Sequence, residues 1–398
     1  MRVAINGFFW GQQTTGSGQY VQQLLSAMKQ VAPDNEYLLF TPRSRAAGNA
    51  VDDLAGRSLQ TPFSGWQPDL DKVWFEQVAF RGACHTASAQ VAHVPYWGSP
   101  LRPVVPTVVT VHDLIPLLLP LYRGSLLVKT YTRLAAAAAR RAALIITDSL
   151  ASREDIVRLL HIPAERIRVI YLAAHPACRP VTDPEVLVAL RSKYGLPERY
   201  ILYLGGFDQR KNLTTLLQAY AGLLTQQEQV PALVIAGQLP AEESELFPNP
   251  KRLARQLGLG SRVLFSGWIP ESDKPALYSG AVFFAFLSLY EGFGLMPLEA
   301  MACGTPVLAS RCSSLLEIVG EGGILVDPTD IDEVVRGFRL LFDDATRQTF
   351  PEGPHPGRQI LLATDGPFDA GGLLVRCCWI GPWSGRCSAP ARTAESVE

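Results

Sequence analysis

Short apolar runs rich in β-branched residues alternate with stretches of helical period along most of this chain, and that alternation limits the folds open to it. Residues 3–5, 107–111, 144–147 and 167–170 are runs of three to five residues, short enough for buried strands and too short for helices. Between them Tyr20, Val21, Leu24, Leu25 and Met28 recur at helical spacing, and Ser152 with Asp155 three residues later reads as a capping box opening another helix. The second half repeats the grammar. Residues 201–204, 233–237, 263–265 and 281–287 read as strands, and Asn212 as the N-cap of a helix with Leu213, Leu216, Leu217, Tyr220 and Leu224 on one face. Strand–helix alternation of this kind builds parallel sheets with helices on both faces. The Pro-rich break at 175–184 separates the two series. The expected fold class is therefore α/β: two doubly wound domains, residues 1–178 and 179–350, with a ligand cleft between them.

With 398 residues, 47% of them hydrophobic, the chain is long enough to give each domain its own core. A net charge of −1 leaves no bulk electrostatic footprint for nucleic acid. Residues 1–178 carry 17 basic and 12 acidic side chains and the remainder 19 and 25, so the first half is mildly basic and could face an anionic acceptor or membrane headgroups, although ordinary solvated surface is the simpler reading. Every candidate membrane span is interrupted by Arg, Pro or Gly, and the start of the chain reads as a first strand rather than a signal-peptide core. Seven cysteines without metal spacing favour reduced thiols and a cytoplasmic setting.

The chemistry concentrates in residues 291–307, directly after the 281–287 strand. Glu291 lies in a Gly-rich loop, and Glu299, eight residues on, lies inside a helix starting near Pro297. Gly292 and Gly294 let backbone N–H groups approach a ligand closely. The helix start behind them suits an anion such as a diphosphate. A tight turn with a solvated Glu and a capping Glu is the structural alternative.

This run resembles the E-x7-E motif of the retaining glycosyltransferases of family 4, whose fold is two facing Rossmann-like domains of the glycosyltransferase B type. The resemblance extends over about residues 1–350. It implies that Glu291 contacts the hydroxyls of the donor sugar and Glu299 the nucleotide ribose, and that Gly292, Phe293, Gly294 and Leu295 hold sugar and phosphate through their backbone. Residues 205–212, Gly-Gly-Phe-Asp-Gln-Arg-Lys-Asn, are similar to the family's diphosphate-binding turn. Many relatives carry an Arg early in that turn where this chain has Gly206, which leaves Arg210 and Lys211 as its cations. His112, in Val111-His112-Asp113, emerges at the C-terminal end of a buried strand, and the resemblance places it near the reacting centre. Asp113 reads as orienting local backbone or His112. The loop at 11–20 lacks the dinucleotide fingerprint, which disfavours a dehydrogenase. It resembles the family's flexible Gly loop, with Gly16 and Gly18 as the substrate-facing residues. Trp268 resembles a residue lining the nucleotide base, with a core role as the alternative.

Other features carry less. Asp69-Leu70-Asp71 is a chance D-x-D string in a loop, and no metal site is expected. Residues 126–144 join Lys129, Arg133, Arg140 and Arg141 to an Ala-rich apolar face. That pattern reads as a helix packed on its sheet, with peripheral contact at the inner face of a membrane as the alternative. Residues 351–398 hold seven Gly, six Pro and three of the seven cysteines, and no helical period survives there. One allowed codon set for residues 358–364, read one base later, gives Ala-Arg-Phe-Ser-Trp-Gln-Arg, which resembles the segment before the family's closing helix. The reading is a frameshift near residue 350, with natural divergence as the alternative.

Together these features predict transfer of a sugar, mannose in the first instance, from a GDP- or UDP-sugar to a hydroxyl of a glycan or glycolipid in surface polysaccharide synthesis. The nucleotide sugar is a substrate and no cofactor is expected. Two other readings stay open: a nucleotide-sugar binder that has lost catalysis, and an epimerase or hydrolase on the same scaffold.

Overall fold

The computed structural model describes residues 1–12, 15–43, 55–227 and 229–343. The expectations for residues 351–398, including the frameshift, lie outside the described residues.

Two all-parallel sheets organise the chain. The first contains β1 (Arg2–Asn6), β2 (Glu36–Pro42), β3 (Ala55–Leu59), β4 (Val91–Val94), β5 (Thr107–Thr110), β6 (Leu144–Thr147) and β7 (Ile167–Val169) in the spatial order β3-β2-β1-β4-β5-β6-β7. The second contains β8 (Tyr200–Leu204), β9 (Ala232–Ala236), β10 (Val263–Gly267), β11 (Phe283–Phe286), β12 (Val307–Ser310) and β13 (Gly323–Val326) in the order β10-β9-β8-β11-β12-β13. Each order reverses beside its first strand, and loops on either side of such a switch point open a crevice at the C-terminal strand ends.

Helices cover both faces. In the first half they are α1 (Gly16–Val31), α2 (Pro68–Trp74), α3 (Phe80–Thr86), α4 (Ile115–Leu118), α5 (Leu126–Ala139) and α6 (Leu150–Leu160). In the second half they are α7 (Pro184–Tyr194), α8 (Leu213–Leu224), α9 (Pro250–Gln256), α10 (Lys274–Ser279), α11 (Leu295–Ala302), α12 (Leu315–Val319) and α13 (Ile331–Phe342). The apolar stripe read from the sequence is the buried face of α1: Val21, Leu24, Leu25 and Met28 pack under the first sheet with Val3, Ile5 and Leu39. Leu213, Leu216, Leu217 and Tyr220 of α8 do the same under the second sheet.

Local details differ from the sequence reading. The cap of α6 is Ser149, whose hydroxyl accepts from the Ser152 amide; Ser152 is already helical. Asn212 occupies the N-cap position of α8 in a left-handed conformation, but its side chain accepts from the Thr215 hydroxyl and donates to the Pro328 carbonyl instead of capping. Asp69 and Asp71 lie in α2 rather than a loop, and Asp71 accepts from Thr61 and Ser64. Residues 126–139 form one helix with two characters. Its C-terminal Ala135, Ala136, Ala138 and Ala139 are buried, while Leu126 and Leu127 are 76% and 73% exposed. Among the described residues no helix is long and apolar enough to cross a membrane.

Candidate active site

The site is built where the C-terminal ends of β5 and β6 face those of β8 and β11. The register of β5 and β6 pairs Thr110 with Ile146, so two residues further on His112 and Asp148 emerge side by side. The His112 Nδ1 lies 2.6 Å from Asp148 Oδ2. Burial pulls the His112 pKa down, but the charge and hydrogen bond of Asp148 outweigh it and the net shift is upward. Asp148 thus fixes the ring and favours its charged form. The Tyr20 ring stands edge-on against the imidazole at 4.7 Å, and Nε2 is buried without a hydrogen bond of good geometry among the described residues. Asp113 accepts from the Ile115 amide at 3.0 Å, the backbone role of its two expected ones, and its charge adds to the upward shift of His112.

Opposite stands a buried charge triad. The chain leaves β8 through a glycine turn and enters a single 3-10 turn, Gln209–Lys211, which aims Arg210 and Lys211 back over the sheet edge. Lys211 Nζ lies 2.6 Å from Glu291 Oε1, and Arg210 Nη1 lies 2.7 Å from Glu291 Oε2. Burial tends to raise the Glu291 pKa, but the two cations win and lower it. Burial dominates at Lys211 and lowers its pKa despite Glu291, whereas at Arg210 the carboxylates outweigh burial and the pKa rises. Lys211 Nζ also sits 4.9 Å from the centre of the Phe286 ring, which leaves the ammonium little room to move. Tyr122 of the first half donates to Asp208 and accepts from the Arg210 amide at 3.1 Å, so both halves hold the cationic turn.

The loop after Glu291 packs directly against the first half. A Cβ on Gly292 would lie 2.6 Å from the His112 carbonyl oxygen and 2.9 Å from Asp113 Cβ, so only glycine fits. Its carbonyl accepts from Ser149 Oγ at 2.6 Å and Ser152 Oγ at 3.1 Å. Gly294 holds φ at +108°, a conformation that favours glycine, and releases the chain into α11 at Leu295, two residues before the expected start. Phe293 is buried, with its carbonyl accepting from Ser314 Oγ at 2.6 Å.

The two glutamates serve separate clusters. Glu299 is buried one helix turn inside α11, accepts from the Tyr278 hydroxyl at 3.1 Å and lies 4.0 Å from Lys274 Nζ; burial raises its pKa. Trp268 follows β10 and is 59% exposed, which excludes the core alternative. Gly16 and Gly18 are not in a loop: both belong to the first turn of α1, where Thr15 caps by accepting from the Gly18 amide. The structure therefore gathers Arg210, Lys211 and Glu291, sets Gly292 against the His112 backbone, and gives Glu299 separate partners in Tyr278 and Lys274. Asp148, Ser149 and Ser152 were not singled out from the sequence as site residues. The signal for Asp148 was its place at the end of a strand adjacent to the one that delivers His112.

The model for group 1 glycosyl transferases matches residues 189–352, and the model for glycosyltransferase family 4 matches residues 14–176. The chain belongs to the family 4, group 1 glycosyltransferases. This family 4 chain is 38% identical over 209 residues to an O-antigen chain mannosyltransferase B of Escherichia coli, covering 52% of this chain and 54% of that one. It is 32% identical over 354 residues to the serotype-specific mannosyltransferase WbdA of Escherichia coli, covering 86% of this chain and 41% of that one. The chain thus spans about half, or less, of the length of these curated relatives. Its fold is the two-domain glycosyltransferase B type: a sucrose-phosphate synthase from Thermosynechococcus elongatus superposes with a TM-score of 0.68 at 24% identity, covering 88% of this chain and 92% of that one.

Proposed function

We propose that this chain is a retaining glycosyltransferase that moves a sugar from a nucleoside diphosphate donor to a hydroxyl of a glycan or glycolipid in surface polysaccharide synthesis. The observation that carries this reading is the Glu291 carboxylate held between Lys211 and Arg210 at 2.6 and 2.7 Å, in the loop that leads into α11 and packs against the His112 backbone. Mannosyltransferase names among the relatives favour mannose, and a GDP donor first, since one relative is GDP-mannose-dependent.

In this reading the diphosphate takes Lys211, Arg210 and the N–H groups of the α11 start as its partners, and Glu291 turns to the sugar hydroxyls. Glu299 and Trp268 meet the ribose and base, while Gly16 and Gly18 line the acceptor side. Transfer breaks the bond between the anomeric carbon and the diphosphate and forms a bond from the acceptor oxygen on the same face. The acceptor proton passes to the departing phosphate oxygen. The protein's part is electrostatic: fixed cations and dipoles meet the charge that develops on the leaving group. His112, oriented by Asp148, adds a cation at the sugar side. Bringing the halves together excludes water that would hydrolyse the donor.

The test is a panel of GDP-mannose, UDP-glucose and ADP-glucose with a glycan primer, each run with and without acceptor. Acceptor-dependent transfer with the anomeric configuration kept supports the reading. Nucleotide binding without transfer identifies a binder, and product without acceptor an epimerase or hydrolase; either result overturns it.

A further inference from the structure

We propose that Glu317 is a positioning residue for the transfer: its carboxylate, seated on the first turn of α6, locks the donor loop 290–292 against His112. This rests on the glycosyltransferase reading above. Glu317 belongs to α12 in the second half, yet it accepts from the Leu150 and Ala151 amides of the first half, at 3.0 Å each, and from the Tyr171 hydroxyl at 2.7 Å. Helix α6 does not need this carboxylate as a cap, because Ser149 already supplies one. A negative charge at the positive end of a helix is a favourable pairing that either half can make only when the two are together.

The mechanics follow from what each partner carries. Ser314, just before α12, donates to the carbonyls of Glu291 at 2.9 Å and Phe293 at 2.6 Å, so α12 and the donor loop move as one piece. On the other side Ser152 Oγ donates to the His112 carbonyl at 3.0 Å, so α6 and His112 move as another. The pieces meet through Ser149 and Ser152 on the Gly292 carbonyl and through the Tyr290 hydroxyl on Asp155 at 2.5 Å. These contacts are hydrogen bonds, joined by the Tyr171 ring against Phe293, which suits a joint that opens and recloses each turnover. Seating Glu317 on α6 holds Gly292, and with it the loop that carries Glu291, against the His112 backbone; releasing it withdraws both.

The full chain would be compared with E317A, E317Q and E317D. We expect E317A to keep its melting temperature and to bind GDP and UDP about as the parent does, but to lose about 10–100-fold in kcat, the order expected when reacting groups are displaced by about 1 Å. E317D should recover part of the loss and E317Q little of it. Unchanged kcat, or a loss that tracks melting temperature with no rescue by E317D, would overturn the proposal. Small-angle scattering reads the joint independently of chemistry: E317A should be more extended than the parent chain, and equal dimensions would refute the latch. A parent chain that transfers no sugar defeats the enzyme reading alone, because the scattering comparison still decides the latch.

Discussion

Replacing Glu291 by Gln should weaken the protein and tighten its grip on a nucleoside diphosphate at the same time. The substitution keeps the shape and removes one negative charge from between Lys211 and Arg210. Breaking a buried ion pair from one side costs about 3–5 kcal/mol. For a half of this size each kcal/mol moves the melting temperature by about 2–4 °C, so a fall of about 6–20 °C follows. Lys211 can relieve part of this by losing its proton, since burial already lowers its pKa, which puts the expected fall toward the smaller end. The same change removes a repulsion. A phosphate oxygen sharing Lys211 with Glu291 would stand about 5 Å from the carboxylate, and two unit charges at that distance repel by about 3 kcal/mol at an effective dielectric of about 20. Screening by water at the cleft reduces this, so the affinity should rise by about 10–100-fold. Thermal shift with GDP and UDP measures both effects on one sample: a lower melting temperature without nucleotide and a larger upward shift with it. Transfer should collapse, because the sugar loses its carboxylate partner. A variant with an unchanged or smaller nucleotide shift would show that Lys211 and Arg210 are structural partners of Glu291 and do not hold the diphosphate.

Three further outcomes follow from the geometry. In Asp148→Asn the carboxylate that raises the His112 pKa is gone while burial remains, so the pKa should fall to or below its ordinary value near 6.5; an imidazole NMR titration and the alkaline limb of the pH–rate profile should both move to lower pH, and an unmoved titration refutes the pairing. The raised pKa also means that the stabilising contribution of this pair is fully present below pH 6.5 and fades as pH rises through the folded value, a slope that the variant should lack. In Gly292→Ala the new methyl meets the His112 carbonyl at 2.6 Å, so the halves must part and transfer should fall at least tenfold with little change in melting temperature, as checked by kinetics beside calorimetry. Glu299→Ala should weaken GDP or UDP binding by about 10–100-fold through loss of a charged hydrogen-bonding partner for the ribose, and an unchanged thermal shift would remove Glu299 from the site.

Much of the fold was legible because its signals are local. Runs such as Val108-Val109 in β5 and Phe283-Phe284 in β11 are buried on both faces of a parallel sheet, so apolar content alone marks them. Strands without that signature were passed over, and so was β2, although its Tyr37-Leu38-Leu39-Phe40 run carries it. β3 reads Ala-Gly-Arg-Ser-Leu, an edge strand with no β-branched residue, and β4 carries His93 in its centre. His93 is tolerated there because its Nε2 meets Thr110 Oγ1 at 3.0 Å and burial drives its pKa down to about 3, so it stays neutral. That compensation lies on the neighbouring strand, 17 residues away, where no local pattern can register it.

The site divides along the same line. Glu291, Gly292 and Gly294 stand within four residues of one another, and Arg210 and Lys211 are adjacent, so each group could be recognised as a segment. What joins the segments is tertiary. Asp148 reaches His112 across 36 residues, Glu317 reaches Leu150 across 167, and Ser149 reaches Gly292 across 143. Ser149, Ser152 and Glu317 also have ordinary local readings, as a cap, a helix residue and a solvated helix charge. Only the meeting of the two sheets turns them into a seam. Chemistry concentrated in short segments is therefore the readable part of such an enzyme fold, while the residues that bring the segments together are ordinary polar side chains whose role appears only when the halves meet. If Glu317 has the role assigned here, a chain that keeps every motif residue and loses this one carboxylate should bind its nucleotide and transfer little.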